Sequence, residues 1–187
     1  KKIDINTQIL FVIHGNNRNA EDYISAWIRF IENKNIIVVA PKFDKKNFRY
    51  FFLLESATSS GEINKNSDEY INKSISLFFN FFKSKYSLDT NKYRMFGHSA
   101  GAQFTHRYML LSDDRRISNA VIANAGWYTF LNGENFPYGI KNTPIDISND
   151  HIKWFMSNKA SLLIGNNDTK LNNVNSSKGA MRQGVTR

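Results

Sequence analysis

The residues with the clearest chemical potential are Gly97-His98-Ser99-Ala100-Gly101, a G-x-S-x-G pattern with Ser99 at its centre. Glycines on both sides of a serine permit a sharp turn from a strand into a helix, which leaves the hydroxyl exposed and strained. Such a serine attacks a carbonyl carbon only if a base takes its proton and donors receive the developing oxyanion. One donor is expected to be the Ala100 backbone N–H, at the amino end of the following helix. The other is expected from the loop "HGNNRNA", where the Asn16 N–H is the candidate; an ordinary turn with asparagines capping a helix is equally compatible with that loop. Asp168, in "LLIGNNDT", stands after an apolar run, where an acid could orient a histidine. The alternative for Asp168 is an aspartate that opens a turn or caps a helix, and Asp146 is a weaker substitute.

The base is harder to find. The chain holds four histidines, His14, His98, His106 and His151. His14 reads as a structural hydrogen-bonding residue, and His98, next to the serine, should point away into the fold. His106 lies far down the helix that follows Ser99, and His151 falls in a later helix.

These groups need elements to hold them. Short β-branched or aromatic runs at 8–14, 35–41, 92–97, 119–126 and 160–166 read as buried parallel strands. Between them, apolar residues recur at helical spacing over 20–33, 68–86, 100–111 and 148–158, while 42–66 is irregular, with "SATSSGE" as a flexible flap. Strands alternating with helices predict an α/β fold, a mostly parallel sheet covered on both faces, with ligands beyond the carboxyl ends of the strands. His14-Gly15, Ser99, Trp127 and Asp168 all fall on that rim.

Composition narrows the alternatives. The 187 residues suit one domain, and a hydrophobic fraction of 41% with 14% aromatics supplies a core. No apolar run approaches the roughly 18 residues of a membrane span. The absence of cysteine removes disulfides, thiolate metal sites and thiol catalysis. The net charge of +9 invites a nucleic-acid reading, yet the lysines are scattered among asparagines rather than gathered into a stripe. A solvated basic surface is the better reading, and no nucleic-acid partner is expected.

The pieces "HGNNRNAEDYISAW", "FGHSAGAQFTHRYML", "ANAGWYTF", "FPYGI" and "GNNDT" together resemble the α/β-hydrolase superfamily, in the branch of poly(3-hydroxybutyrate) depolymerases and related small serine esterases. The resemblance implies a three-layer α/β-hydrolase domain over 1–187 that hydrolyses small or oligomeric carboxylic esters without metal or cofactor. Carried over by position, Ser99 is the nucleophile, Asp168 the acid, and Asn16 with Ala100 the oxyanion donors. Trp127 and Tyr128, followed by Phe130, would wall a substrate pocket or belong to the core.

The family's histidine follows its acid by some tens of residues, and no histidine follows Asp168 here. The expectation is therefore a domain lacking its last strand, histidine loop and final helix, nearly inactive and poorly stable by itself. The competing expectation is a hydrolase fold retained as a binding module without triad chemistry.

Overall fold

A computed structural model describes residues 3–167 together with Ala180 and Gln183. The β-branched runs become strands β1 (Gln8–Ile13), β2 (Ile36–Val39), β3 (Tyr93–His98), β4 (Ile117–Ala123) and β5 (Ala160–Leu163). All pair in parallel, in the order β2-β1-β3-β4-β5. Parallel neighbours need long crossovers. Helices α1 (Ala20–Ile31), α2 (Ser74–Lys85), α3 (Ala100–Leu111) and α4 (Asn149–Ser157) lie in those connections.

From β1 the chain steps to one side for β2 and then crosses to the other side of β1 for β3. The order reverses between β1 and β3, and the crevice beyond their carboxyl ends is where such sheets bind ligands. His14-Gly15 leaves β1 at that point and Ser99 leaves β3 there.

The core gathers around β1 and α3. Every residue of α3 is buried, because the small side chains of Ala100, Gly101 and Ala102 let its first turn sit directly on the sheet. Phe104 and Tyr108 of this helix join Phe43, Phe51, Phe79 and Tyr93 in one aromatic cluster. By contrast, α1 buries only Ala20 completely. Its Trp27 packs edge-on against Phe96 at 5.3 Å, while Ile28 and Phe30 face solvent. Strand β5 is exposed along its whole length and has no strand on its outer edge among the described residues.

Two stretches depart from the pattern expected of them. The helix read over 68–86 starts only at Ser74. Before it, a 3-10 turn at Ser67–Glu69 is capped by the Asn66 side chain on Asp68 N, and the Tyr70 hydroxyl bonds back to Asn64 O. The expected flap is a clasped loop: Ala57 bridges Ile63, Thr58 N donates to Glu62 O, and Ser56 and Ala57 are buried. No helix among the described residues is long and apolar enough to cross a membrane.

Candidate active site

Ser99 sits between β3 and α3 with φ 56° and ψ −118°, a left-handed conformation that non-glycine residues avoid. The surrounding backbone holds it there. Ser99 N donates to Ala123 O at 2.9 Å, and Ser99 O accepts from Ala102 N and Gln103 N at 3.0 and 3.2 Å. The two glycines of the pentapeptide are sterically required. A methyl group on Gly97 would stand 2.1 Å from Gly101 O, and one on Gly101 would stand 2.1 Å from Ile13 O. Both obstacles are main-chain atoms that cannot swing aside.

The loop after β1 lies against this turn. A methyl group on Gly15 would be 3.6 Å from Ser99 Cβ and 3.1 Å from the Tyr23 hydroxyl. The Gly15 N–H is already taken, donating to Tyr23 Oη at 3.1 Å, and Arg18 N donates to Gly15 O. Asn16 and Asn17 are exposed, and the Asn16 N–H has no acceptor among the described residues. The same holds for the Ala100 N–H, one of the orphan donors that open every helix.

The loop is fixed from below by two side chains. His14 donates from Nδ1 to Gly15 O and accepts at Nε2 from Phe43 N, both at 2.9 Å. That pattern defines a neutral imidazole, and burial lowers its pKa accordingly. Arg18, itself at φ 61°, reaches three backbone carbonyls, those of Phe43, Phe48 and Arg49, at 2.7, 2.7 and 3.0 Å. Its guanidinium lies 4.2 Å above the Phe51 ring.

None of the four histidines bonds to Ser99, whose hydroxyl makes no hydrogen bond among the described residues. Both nitrogens of His14 are occupied as above. His98 Nδ1 is 2.8 Å from the Tyr23 hydroxyl. His151 Nε2 meets Met109 O at 2.9 Å. His106 Nε2 lies 2.9 Å from Thr129 O and 3.3 Å from Thr129 N. A single nitrogen cannot donate to one and accept from the other, and the shorter contact makes Nε2 the donor. Burial, reinforced by the neighbouring Arg107 charge, lowers the His106 pKa to about 4.

Arg107 is the largest of the fully buried side chains among the described residues. Its Nε donates to Thr129 Oγ1 and Nη1 to Phe52 O, each at 2.9 Å. The guanidinium stacks 4.1 Å from the Trp127 ring, makes no salt bridge among the described residues, and has its pKa pulled down to about 9 by burial. Trp127 is thus buried, packed between this cation and Tyr138 at 4.7 Å. Trp127, Tyr128 and Phe130 also line an apolar groove of about 600 Å³ between α3, α4, β4 and β5. Ser99 is not on the wall of that groove. Gln183 closes one side of it, pairing with both Tyr128 N and Tyr128 O at 2.8 Å.

The structure therefore brings Ser99, Ala100 and the Gly15-Asn16 turn together at the crevice, while Trp127 and Tyr128 line a groove whose wall does not include Ser99. Asp168 lies outside the described residues, and Asp146 is exposed. Tyr23, Arg18 and Arg107 were not anticipated as parts of the site. The signal for Tyr23 was a lone hydroxyl on the apolar stripe of α1, one turn after the "HGNN" loop.

A parallel sheet with a left-handed serine between a strand and a buried helix at the switch point defines an α/β-hydrolase fold. No family model matches the chain, and no curated protein matches it in sequence. Solved structures do. Poly(aspartic acid) hydrolase-1 from Sphingomonas sp. KT-1 is 34% identical with a TM-score of 0.87, over 99% of this chain and 71% of that one. The poly(3-hydroxybutyrate) depolymerase LpqC from Bordetella parapertussis is 25% identical with a TM-score of 0.85, over 98% of this chain and 63% of that one. The BES protein of Bacillus cereus, 12% identical with a TM-score of 0.51, shares the fold. The chain belongs to the poly(3-hydroxybutyrate) depolymerase-like family of α/β-hydrolases.

Proposed function

We propose that this chain carries the nucleophile and the oxyanion donors of a serine hydrolase that cleaves carboxylic esters through an acyl-enzyme. The observation that carries the reading is the strained Ser99, beside a turn and a helix start whose N–H groups, those of Asn16 and Ala100, have no acceptors among the described residues. In the proposed reaction a base takes the Ser99 proton as Oγ bonds to the substrate carbonyl carbon. The tetrahedral oxyanion is received by the Asn16 and Ala100 N–H groups, and collapse expels the alcohol, which regains the proton through the base. Water then repeats the sequence to release the acid and free Ser99.

The base is a histidine from outside these 187 residues, because all four histidines present are held elsewhere. Asp168 is proposed as the acid that orients it. The substrate is proposed to be oligomeric. The two most informative neighbours are named for a poly(aspartic acid) and a polyester, and a net charge of +9 favours approach of a polyanion. The occupied histidines equally suit a fold kept as a binding module, and one experiment separates the two.

In the complete protein, Ser99→Ala should abolish hydrolysis of a short-chain p-nitrophenyl ester, since loss of a triad nucleophile costs roughly 10⁶ in kcat. Asp168→Asn should cripple it through the wrong histidine tautomer. A tenth of the activity surviving in folded Ser99→Ala protein would remove the serine mechanism. An inert wild-type protein that binds oligomers would establish the binding module.

A further inference from the structure

Three parts of the crevice meet at one oxygen atom, the hydroxyl of Tyr23. This residue stands in the first turns of α1, half-buried. The hydroxyl takes the Gly15 N–H at 3.1 Å, from the loop after β1. It also lies 2.8 Å from Nδ1 of His98, the residue that immediately precedes Ser99. A phenol has one proton and two lone pairs. With one lone pair filled by Gly15, the hydroxyl keeps a proton to give and a second lone pair to fill, so it can bond His98 Nδ1 in either tautomer of that ring. Burial raises the Tyr23 pKa, which keeps the phenol protonated in this role.

The tie is short because the elements are close. The position of a Gly15 methyl would be within 3.1 Å of Tyr23 Oη and 3.6 Å of Ser99 Cβ. The peptide after Gly15 is the one whose N–H is proposed to meet the oxyanion. Its distance from the serine is therefore set by whatever holds Gly15. Below the loop, His14 fixes Gly15 O, and the only side chain found on Gly15 N among the described residues is Tyr23.

We infer that Tyr23 is a positioning residue, which fixes the oxyanion loop against the nucleophile turn by bonding Gly15 N–H on one side and His98 on the other. The inference rests on the serine-hydrolase reading above. Tyr23 does not touch the reacting atoms, so its loss should disturb transition-state stabilisation while leaving substrate binding nearly intact.

The test is Tyr23→Phe in the complete protein, a change that removes a single oxygen. Sites are counted by titration with a phosphonate that labels the active serine, so kcat refers only to folded, competent molecules. A displacement of about 1 Å in a catalytic group costs up to about 10²-fold, and losing an oxyanion donor outright costs about 10²–10³. Tyr23→Phe should therefore lower kcat by roughly 10- to 100-fold per titrated site with KM changed less than about threefold. The Gly15 amide, freed of its acceptor, should exchange its hydrogen faster in NMR measurements. If Ser99→Ala is inactive but Tyr23→Phe keeps more than half of wild-type kcat, the inference about Tyr23 falls and the serine reading stands. An unchanged Gly15 amide exchange rate also overturns it. An active Ser99→Ala protein overturns both together.

Discussion

The burial of His106 makes acid stability a test of its role. The ring lies between Tyr128 and Phe155, edge-on to both at 5.5 and 5.7 Å, and donates to Thr129 O. Protonation would place a second charge beside Arg107 in the interior, and the pKa is accordingly lowered from 6.5 to about 4. In the unfolded chain the imidazole titrates near its ordinary value. Between these two values the unfolded state binds the proton that the folded state refuses, so this contribution is full above about pH 6.5 and lost as the pH falls toward 4. A shift from 6.5 to about 4 is worth about 3 kcal/mol when complete, and most of it is gone at pH 4.5. His106→Gln keeps an N–H for Thr129 O but does not titrate. Urea midpoints of the complete protein at pH 7.5 and 4.5, converted with a common m-value, should show wild type losing about 2–3 kcal/mol more than the variant. Other titrating groups act equally on both proteins and cancel in the difference. Equal losses within about 0.5 kcal/mol would refute the argument. They would also reopen His106 as a residue free to take protons.

Two further predictions concern Gly101 and Glu55. Gly101→Ala places a methyl 2.1 Å from Ile13 O and 2.6 Å from His14 O; it should destabilise the protein by about 3 kcal/mol or more, and a wild-type urea midpoint would mean that α3 can lift from β1. Glu55, at φ 56°, has its carboxyl pushed up to about 6 by burial. Its raised pKa contributes stability below about pH 4.5 that is lost as the pH rises through about 6. Glu55→Gln should therefore stabilise at pH 7.5, by about 1 kcal/mol or less once solvent screening of this half-buried group is counted. Near pH 4 it should do nothing, and equal effects at both pH values would contradict the assignment.

The sheet was legible because its strands are short β-branched runs separated by helical periodicity, and local pattern is enough to place such elements. The nucleophile turn was legible because its pentapeptide is local in sequence; Gly97 answers a clash with nearby Gly101 O, whereas the clash that requires Gly101 is with distant Ile13 O of β1. What stayed hidden were contacts made across long sequence distances to main-chain atoms. Tyr23 and His98 are 75 positions apart, and Arg107 and Phe52 are 55 apart; nothing in either local sequence announces the partner. Helix α2 was read too long because Tyr70 and Ile71 keep helical spacing, although the Asn66 cap and the Tyr70 bond to Asn64 O commit those residues to a turn. Trp127 and Tyr128 were placed correctly on the chain after β4, but no sequence pattern separates a wall of the apolar groove from a stacking partner of Arg107. The structure makes Trp127 both.

The way Arg18 holds the 43–49 loop bears on how this protein can change. The guanidinium addresses carbonyl oxygens, and every residue type offers the same carbonyl. Lys45 and Lys46 can therefore be replaced without loosening the clamp, provided that the backbone path and buried Phe43 are kept. Lys46, Asn47 and Arg49 also line a polar pocket of about 670 Å³. Stability and surface chemistry are thus written on different atoms of the same segment. Substitutions there can accumulate as neutral variation and alter what this pocket accepts, while the scaffold beneath stays unchanged.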